Sequence, residues 1–475
     1  MADEASDSSS DSENTGEVKN VARLVMRPPG HSGKAKKGHL VFDASFEEGN
    51  LGKVDYVSEF EYDLYIRPDL ANPRYRVWFN FTIENVRLEQ RVVLTVVNIS
   101  KIVYLFHEGF TPVVRSTSRP KWYKIPEKHV YYYKCPYHRN NYVLSFAFAF
   151  DREDDVYQFA FSYPYTYSRL QKYLEYLEKI NMPFLTREEI GKSVQGRRLD
   201  MITIFDNKLL EESKWPVKKK RKIVIITARV HPGETPSSFV CQGLIDFLVS
   251  DHPVAHCLRE RVMFKIIPML NPDGVFVGNY RTSLLGTDLN RCWHETSPLA
   301  HPTLHATKKL VDRLMMKKDD EVDMYLDLHT HTSLLGTFVY GSTFDDVYRF
   351  QRHTLFPKHL GNWTDDFSVQ NTIYNRDPSK SGTSRRFFTN MLPSKANCYT
   401  LEVSFYGYRS KQDPSKAVTA YTEDSYIKLG ENIAWALLDY YVATGYISSG
   451  SVPPGIKVGK RGLVVESSRK VLNRK

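Results

Sequence analysis

The sequence predicts an α/β domain with a mixed sheet flanked by helices, preceded by an antiparallel β-sandwich. Three observations predict it. Period-two alternation of apolar residues recurs between about Gly38 and Pro164. The period then changes to that of a helix at SRLQKYLEYLEKI, after which apolar strands and amphipathic helices alternate. The 475 residues are 41% hydrophobic and 13% aromatic, enough to fill the cores of more than one domain.

Residues 1–37 are Ser/Asp/Glu-rich and then Gly/Lys-rich, with little apolar surface to offset the entropy of ordering, so this segment is expected to be a disordered acidic tail. Its Ser-Asp and Ser-Glu steps suit acidophilic kinases, or simply a solvated tail. Residues 38–164 form the predicted sandwich. In YRVWFNFTIEN, Val77, Phe79, Phe81 and Ile83 share one face, and Arg76, Asn80 and Thr82 the other. VLSFAFAF repeats the pattern with Leu144, Phe146, Phe148 and Phe150, and no catalytic constellation appears in this stretch.

Residues 165–445 carry the α/β pattern. Leu170, Tyr173, Leu174, Leu177 and Ile180 make one helical stripe. KIVIITARV, RVMFKIIPML, DMYLDLHTH and CYTLEVSFY read as strands. SSFVCQGLIDFLVS, TLHATKKLVDRLMM and EDSYIKLGENIAWALLDYY read as helices. In open sheets of this kind ligands gather at the carboxyl ends of the strands. Residues 446–475, rich in Gly, Pro, Ser and basic residues, are expected to be a flexible basic tail.

The net charge of +10 points to acidic partners, with nucleic acid, anionic lipid and acidic protein tails all open on charge alone. The N-terminal stretch has no apolar signal-peptide region, and no apolar run reaches the roughly 18 residues of a membrane span. Five widely spaced cysteines without CxxC read as reduced cytosolic thiols. The basic run from Lys214 to Lys222 has the composition of a nuclear-import patch, yet it leads straight into a buried strand and reads better as a surface loop.

ITARVHPGETPSSF sets His231 and Glu234 between a strand and a helix. Imidazole and carboxylate are zinc ligands, and a catalytic zinc site uses three protein ligands and leaves one position open. Pro232 and Gly233 prevent a helical turn between them, so a tight loop would turn both side chains to one point. HxxE alone is a weak signal. DMYLDLHTHTS supplies a third ligand, either His329 or His331, with Asp327 ahead of them.

The ordered set HPGE, NPDGV, GNYRTSLLGTDLNRCW, DLHTH and YTLEVSFY resembles the M14 metallocarboxypeptidases, and among them the cytosolic carboxypeptidases, over roughly residues 38–445. That family also carries a β-sandwich ahead of its catalytic domain. The resemblance implies that His231, Glu234 and His329 hold one zinc ion and that Glu402 is the general base and acid. It implies that Arg281 stabilises the oxyanion, and that Asn290 and Arg291 grip the terminal carboxylate, with Asp288 structural. Tyr374 is a candidate for the substrate-capping tyrosine of digestive relatives, although TIYNRD departs from their pattern. The specificity pocket falls on SGTSRRFFTN, where Arg385 or Arg386 would receive a glutamate side chain.

The function so implied is a protein deglutamylase acting on polyglutamylated or glutamate-ending proteins such as tubulin. It would work in the cytoplasm or on centriolar and other microtubule structures, with no nucleic-acid or membrane partner. The alternatives are an amidohydrolase of the aspartoacylase type and a non-catalytic microtubule-binding protein.

Overall fold

The structure, a computed structural model, describes residues 19–456 apart from 101, 213, 216–218 and 414. The N-terminal part is a sandwich of two sheets. In spatial order, one contains Leu24–Val25, Val41–Asp43, Asn80–Glu84, Tyr157–Ala160, Val113–Ser116 and Arg119–Lys124. The other contains Lys53–Tyr56, Glu61–Tyr65, Arg91–Val96, Asn141–Ala149 and Val130–Cys135. Neighbours are antiparallel except for one parallel pair, Glu61–Tyr65 with Arg91–Val96. Val77, Phe79, Phe81 and Ile83 are buried between the sheets with Leu144, Phe146 and Phe150, as the alternation predicts. Asn80 departs from it: expected on the solvent face, it is buried and accepts a hydrogen bond from Gln158 Nε2.

The described parts of both expected tails make contacts with the folded body. Residues 1–18 lie outside the described residues, but Leu24–Val25 pairs with Val41–Phe42, and Val21 N donates to Leu51 O. Two strand residues in a polar context are too few to register as alternation. At the other end Ile447 is buried, and the Tyr446 hydroxyl accepts from Lys222 N and donates to Arg261 O. The remainder of the basic tail, 457–475, lies outside the described residues.

The second domain opens with helix α1 (Tyr167–Ile180), capped by the Thr166 hydroxyl, which accepts from Arg169 N. Leu170, Leu174 and Leu177 are buried, whereas Ile180 in the last turn is exposed. An eight-stranded sheet follows: β1 (Leu185–Lys192), β2 (Arg198–Ile204), β3 (Arg221–Ala228), β4 (Val262–Ile267), β5 (Asp320–His331), β6 (Thr337–Ser342), β7 (Ile373–Asn375) and β8 (Asn397–Ser404). Its order is β1-β2-β4-β3-β5-β8-β6-β7. The central strands β4, β3, β5 and β8 are mutually parallel, while β1, β2 and β6 pair antiparallel to their inner neighbours.

Strand β3 shows how the layers form. Ile223 and Ile225 face one core with Leu304, Val311 and Phe388, from helices α3 (Pro302–Met315) and α5 (Ser384–Met391). Val224 and Ile226 face the other, with Phe239 and Leu244 of α2 (Thr235–Leu248) and Ile433 and Leu437 of α6 (Glu423–Ala443). Helix α4 (Val347–Trp363) adds Phe356 and Leu360 to this second core. Because β4, β3, β5 and β8 run the same way, their carboxyl ends deliver the HPGE loop, the 268–288 loop, His329 and Glu402 to one edge. Among the described residues no helix is long and apolar enough to cross a membrane, and none of the five cysteines is disulfide-bonded.

Candidate metal centre

The HPGE turn begins with strain. Arg229 takes a positive φ of 56°, unfavourable for a bulky side chain, and is fully buried. Its guanidinium holds the turn in place: Nε donates to Pro232 O at 2.6 Å, and the rest of the fork binds Tyr165 O, Ser238 Oγ and the Glu48 carboxylate of the sandwich. Gly233 is required next to it, since a Cβ there would lie 2.6 Å from the Tyr280 ring.

Glu234 thereby lies at the amino end of α2 with its carboxylate between two rings. Oε1 meets His231 Nδ1 at 2.7 Å, and Oε2 meets His329 Nδ1 at 3.0 Å while accepting from Thr330 N. All three side chains are buried, and their ligand atoms lie within 4.8 Å of one another. The outer ring nitrogens are each held by a carboxylate, His231 Nε2 by Asp288 at 3.1 Å and His329 Nε2 by Asp327 at 2.8 Å. Asp327 is fixed in turn by Thr227 and Ser384.

Sequence reading left His329 and His331 open, and the structure separates them. His331 Nδ1 accepts from Ser333 N and Leu334 N in its own turn and is not in the converging group. Two imidazoles and one carboxylate, each outer nitrogen backed by an aspartate, fit a zinc ion with one open position.

The electrostatics also fit. Burial opposes ionisation of Glu234, but the two histidines outweigh it and hold its pKa well below the usual carboxylate range. Burial likewise disfavours a charged His329, and Asp327 with Glu234 reverses that, raising its pKa well above the ordinary imidazole value. Three carboxylates (Glu234, Asp288 and Asp327) and the Glu402 carboxyl crowd this edge beside Arg281, so the edge favours added positive charge.

Glu402 stands across from His329 on the neighbouring strand β8. Its Oε2 is buried without a hydrogen-bond partner among the described residues, and burial, with Glu234 and Asp327 adding to it, pushes the carboxyl up to about 8. Arg281 donates through Nε and its outer nitrogen to Asp288 Oδ2, both at 2.8 Å, while Asp288 Oδ1 takes His231 Nε2 and Asn290 N. Asp288 therefore joins arginine to ligand, a larger part than the structural one expected of it.

Asn290 is buried, with its amide against His329 Nε2 and its Oδ1 accepting from Ser384 N. Arg291 is exposed and donates to Asn290 O. Tyr374 packs against Phe350 and His353 on the outer strand β7, an arrangement that gives no support to a capping role. Arg385 is buried at the start of α5, donating to Gly341 O, Ser342 Oγ and Asn375 Oδ1, with no carboxylate in ion-pair range among the described residues. Burial and the neighbouring Arg386 bring its pKa down to about 10. Arg386 is partly exposed and donates to Asn375 O.

Sequence reasoning missed Glu48, Asp69, Arg229 and Ser384. Asp327 had a usable signal, two positions before His329 and so on the same face of one strand.

The zinc carboxypeptidase family model matches residues 170–426, and that of the cytosolic carboxypeptidase N-terminal domain matches residues 42–161. The chain is 54% identical over 434 residues to cytosolic carboxypeptidase 6 of Mus musculus, covering 91% of this chain and 79% of the relative. It is 44% identical over 415 residues to cytosolic carboxypeptidase 6 of Caenorhabditis elegans, covering 86% and 88%. A metallo-carboxypeptidase structure from Burkholderia cenocepacia shares the fold, with a TM-score of 0.70 at 23% identity over 85% of this chain and 99% of that one. With both of its domains matched in order and a His/Glu/His centre at the expected strand ends, the chain belongs to the M14 zinc carboxypeptidases, in their cytosolic carboxypeptidase branch.

Proposed function

We propose that this carboxypeptidase removes glutamates from the C-termini of glutamate-ending or polyglutamylated proteins, tubulin among them, in the cytoplasm and on microtubule structures. The observation that carries the reading is Arg385, a buried guanidinium without a carboxylate partner among the described residues. A desolvated cation of this kind favours an anionic guest, and its planar fork suits a carboxylate. Arg385 donates to Gly341 O on β6, the strand that pairs Phe338 with Glu402, and this supports a cation near the reacting edge. The net charge of +10 favours acidic tails generally.

His231, Glu234 and His329 would hold zinc, which when bound supplies Lewis acidity and a water of lowered pKa. Glu402 takes the proton from the attacking water and delivers it to the leaving amine. Arg281, oriented by Asp288, faces the charge that develops on the carbonyl oxygen. Asn290 and Arg291 bind the terminal carboxylate, so that only a chain end fits.

Mass spectrometry of an oligoglutamate-tailed peptide incubated with the zinc-loaded protein tests the reading. The wild type should shorten the tail one residue at a time. Arg385→Glu should lower kcat/KM by at least about a thousandfold with zinc retained, and Arg386→Glu by less than about tenfold. If both variants trim at wild-type rates, glutamate selectivity lies elsewhere. Faster turnover of N-acyl amino acids would identify an aspartoacylase-type amidohydrolase, and an inert protein with intact ligands a binding protein.

A further inference from the structure

We infer that Asp69, which belongs to the sandwich, is a positioning residue for catalysis in the neighbouring domain. Its carboxylate, buried at 3% exposure, accepts from three successive main-chain groups of the GNYR loop: Tyr280 N at 2.6 Å, Arg281 N at 2.8 Å and Thr282 N at 2.8 Å. The Thr282 hydroxyl adds a fourth bond at 3.0 Å. Consecutive amides turned to one point form a concavity of partial positive charge, and an anion in it fixes the backbone more firmly than a neutral acceptor does.

The same sandwich loop holds that segment on both sides of Asp69. Arg67 donates to Val277 O, Leu70 N to Asn279 Oδ1, and Asn72 Nδ2 to Gly286 O. The segment from Val277 to Gly286 is thus shaped against the sandwich. Arg281 lies inside it, and its side chain passes the placement on. Its guanidinium grips one oxygen of Asp288, and the other oxygen of Asp288 holds His231 Nε2. Asp69 therefore sets where Arg281 stands and, through Asp288, how a ligand ring is turned. A shift of about 1 Å in such a group costs on the order of a hundredfold in rate.

The inference rests on the proposed function, in which Arg281 serves the developing oxyanion and glutamate-ending peptides are cleaved. The test uses the full zinc-loaded chain and an oligoglutamate-tailed peptide. Five readings are taken: kcat, KM, zinc content, the affinity of a phosphinic peptide that mimics the tetrahedral intermediate, and the affinity of free glutamate as product. Asp69→Asn keeps the shape but removes the charge and turns an N–H toward other N–H groups. It should lower kcat at least about tenfold, leave KM within about threefold and zinc content unchanged, and weaken the phosphinic mimic in parallel with kcat/KM while sparing glutamate. Thr282→Val, which removes one of the four bonds, should show the same pattern more mildly, and it decides the matter if Asp69→Asn does not fold. A folded variant with kcat within twofold of wild type overturns the inference, as does a fall in kcat matched by lost zinc. Arg281→Ala separates the two layers: wild-type turnover there overturns the oxyanion role itself, whereas a crippled Arg281→Ala beside a fully active Asp69→Asn overturns only the role of Asp69.

Discussion

Glu402 shows how one side chain receives its chemistry from its surroundings. Burial pushes its carboxyl up to about 8, and Glu234 and Asp327 push the same way. A zinc ion held by His231, Glu234 and His329 would draw that proton affinity back toward neutrality, the range in which Glu402 both accepts and releases a proton. Three substitutions divide metal binding from proton transfer. His329→Ala should lose zinc and activity together, because it removes one of three ligands. His331→Ala should retain zinc, since that ring serves Ser333 N and Leu334 N. Glu402→Gln should keep zinc and bind peptide yet turn over at least about a hundredfold more slowly. Elemental analysis beside steady-state kinetics checks all three, and near-normal turnover in Glu402→Gln would remove it from the proton path. The converging His231, Glu234 and His329 were within reach of the sequence because HPGE and DLHTH are short-range patterns, although the residues alone left His329 and His331 open and the resemblance chose between them. Asp69 was not, since its partners lie more than 200 residues away and a lone Asp between Pro68 and Leu70 carries no local signal.

At the scale of elements, alternation identified the principal strands and the helical period identified α1, α2, α3 and α6. The short β6 and β7 carried too little pattern, and β1, with Thr, Arg, Glu and Lys, has no apolar rhythm at all. What the period could not show is how closely two helices approach. Helices α2 and α6 meet through glycine. A Cβ on Gly243 would stand 2.0 Å from Ile427 O, and one on Gly430 would stand 2.2 Å from Val240 O. Both neighbours are backbone, which cannot move aside as a side chain does. Glycine costs about 1 kcal/mol in a helix relative to alanine, so helix propensity favours Gly430→Ala, while packing opposes it by about 1–3 kcal/mol or more. The contact distance decides between them. Gly430→Ala should lower stability by roughly 2 kcal/mol or more, read from chemical denaturation of the zinc-loaded protein. An unchanged or raised midpoint would mean that the helices can separate freely.

At the scale of the molecule, the two domains share their cores as well as their hydrogen bonds. Tyr280, Phe405 and Tyr406 of the catalytic domain are buried in the sandwich core, while Val113, Trp122 and Ala160 of the sandwich belong to the core beneath α2 and α6. Glu48 and Arg229 form a fully buried ion pair across the boundary at 2.7 Å. Burial pushes the Glu48 carboxyl up to about 7 and lowers the Arg229 pKa, and each charge opposes that effect on the other. A buried pair of this kind contributes little beyond a hydrophobic substitute, but removing one partner leaves the other charge without compensation, at a cost of about 3–5 kcal/mol. Arg229 also holds the strained turn that presents His231 and Glu234. The cost of losing Glu48 should therefore fall on the whole molecule and not on the sandwich alone. The expected calorimetric result is one cooperative transition for the zinc-loaded wild type, in which near-ultraviolet dichroism and activity disappear together. Glu48→Gln should move that single transition down without splitting it, and should weaken zinc retention as the HPGE turn loosens. Two separated transitions in the wild type, with activity surviving the first, would mean that the sandwich is an independent attachment. A Glu48→Gln variant that melts with the wild type would mean that the tie between the domains lies elsewhere in their shared apolar surface.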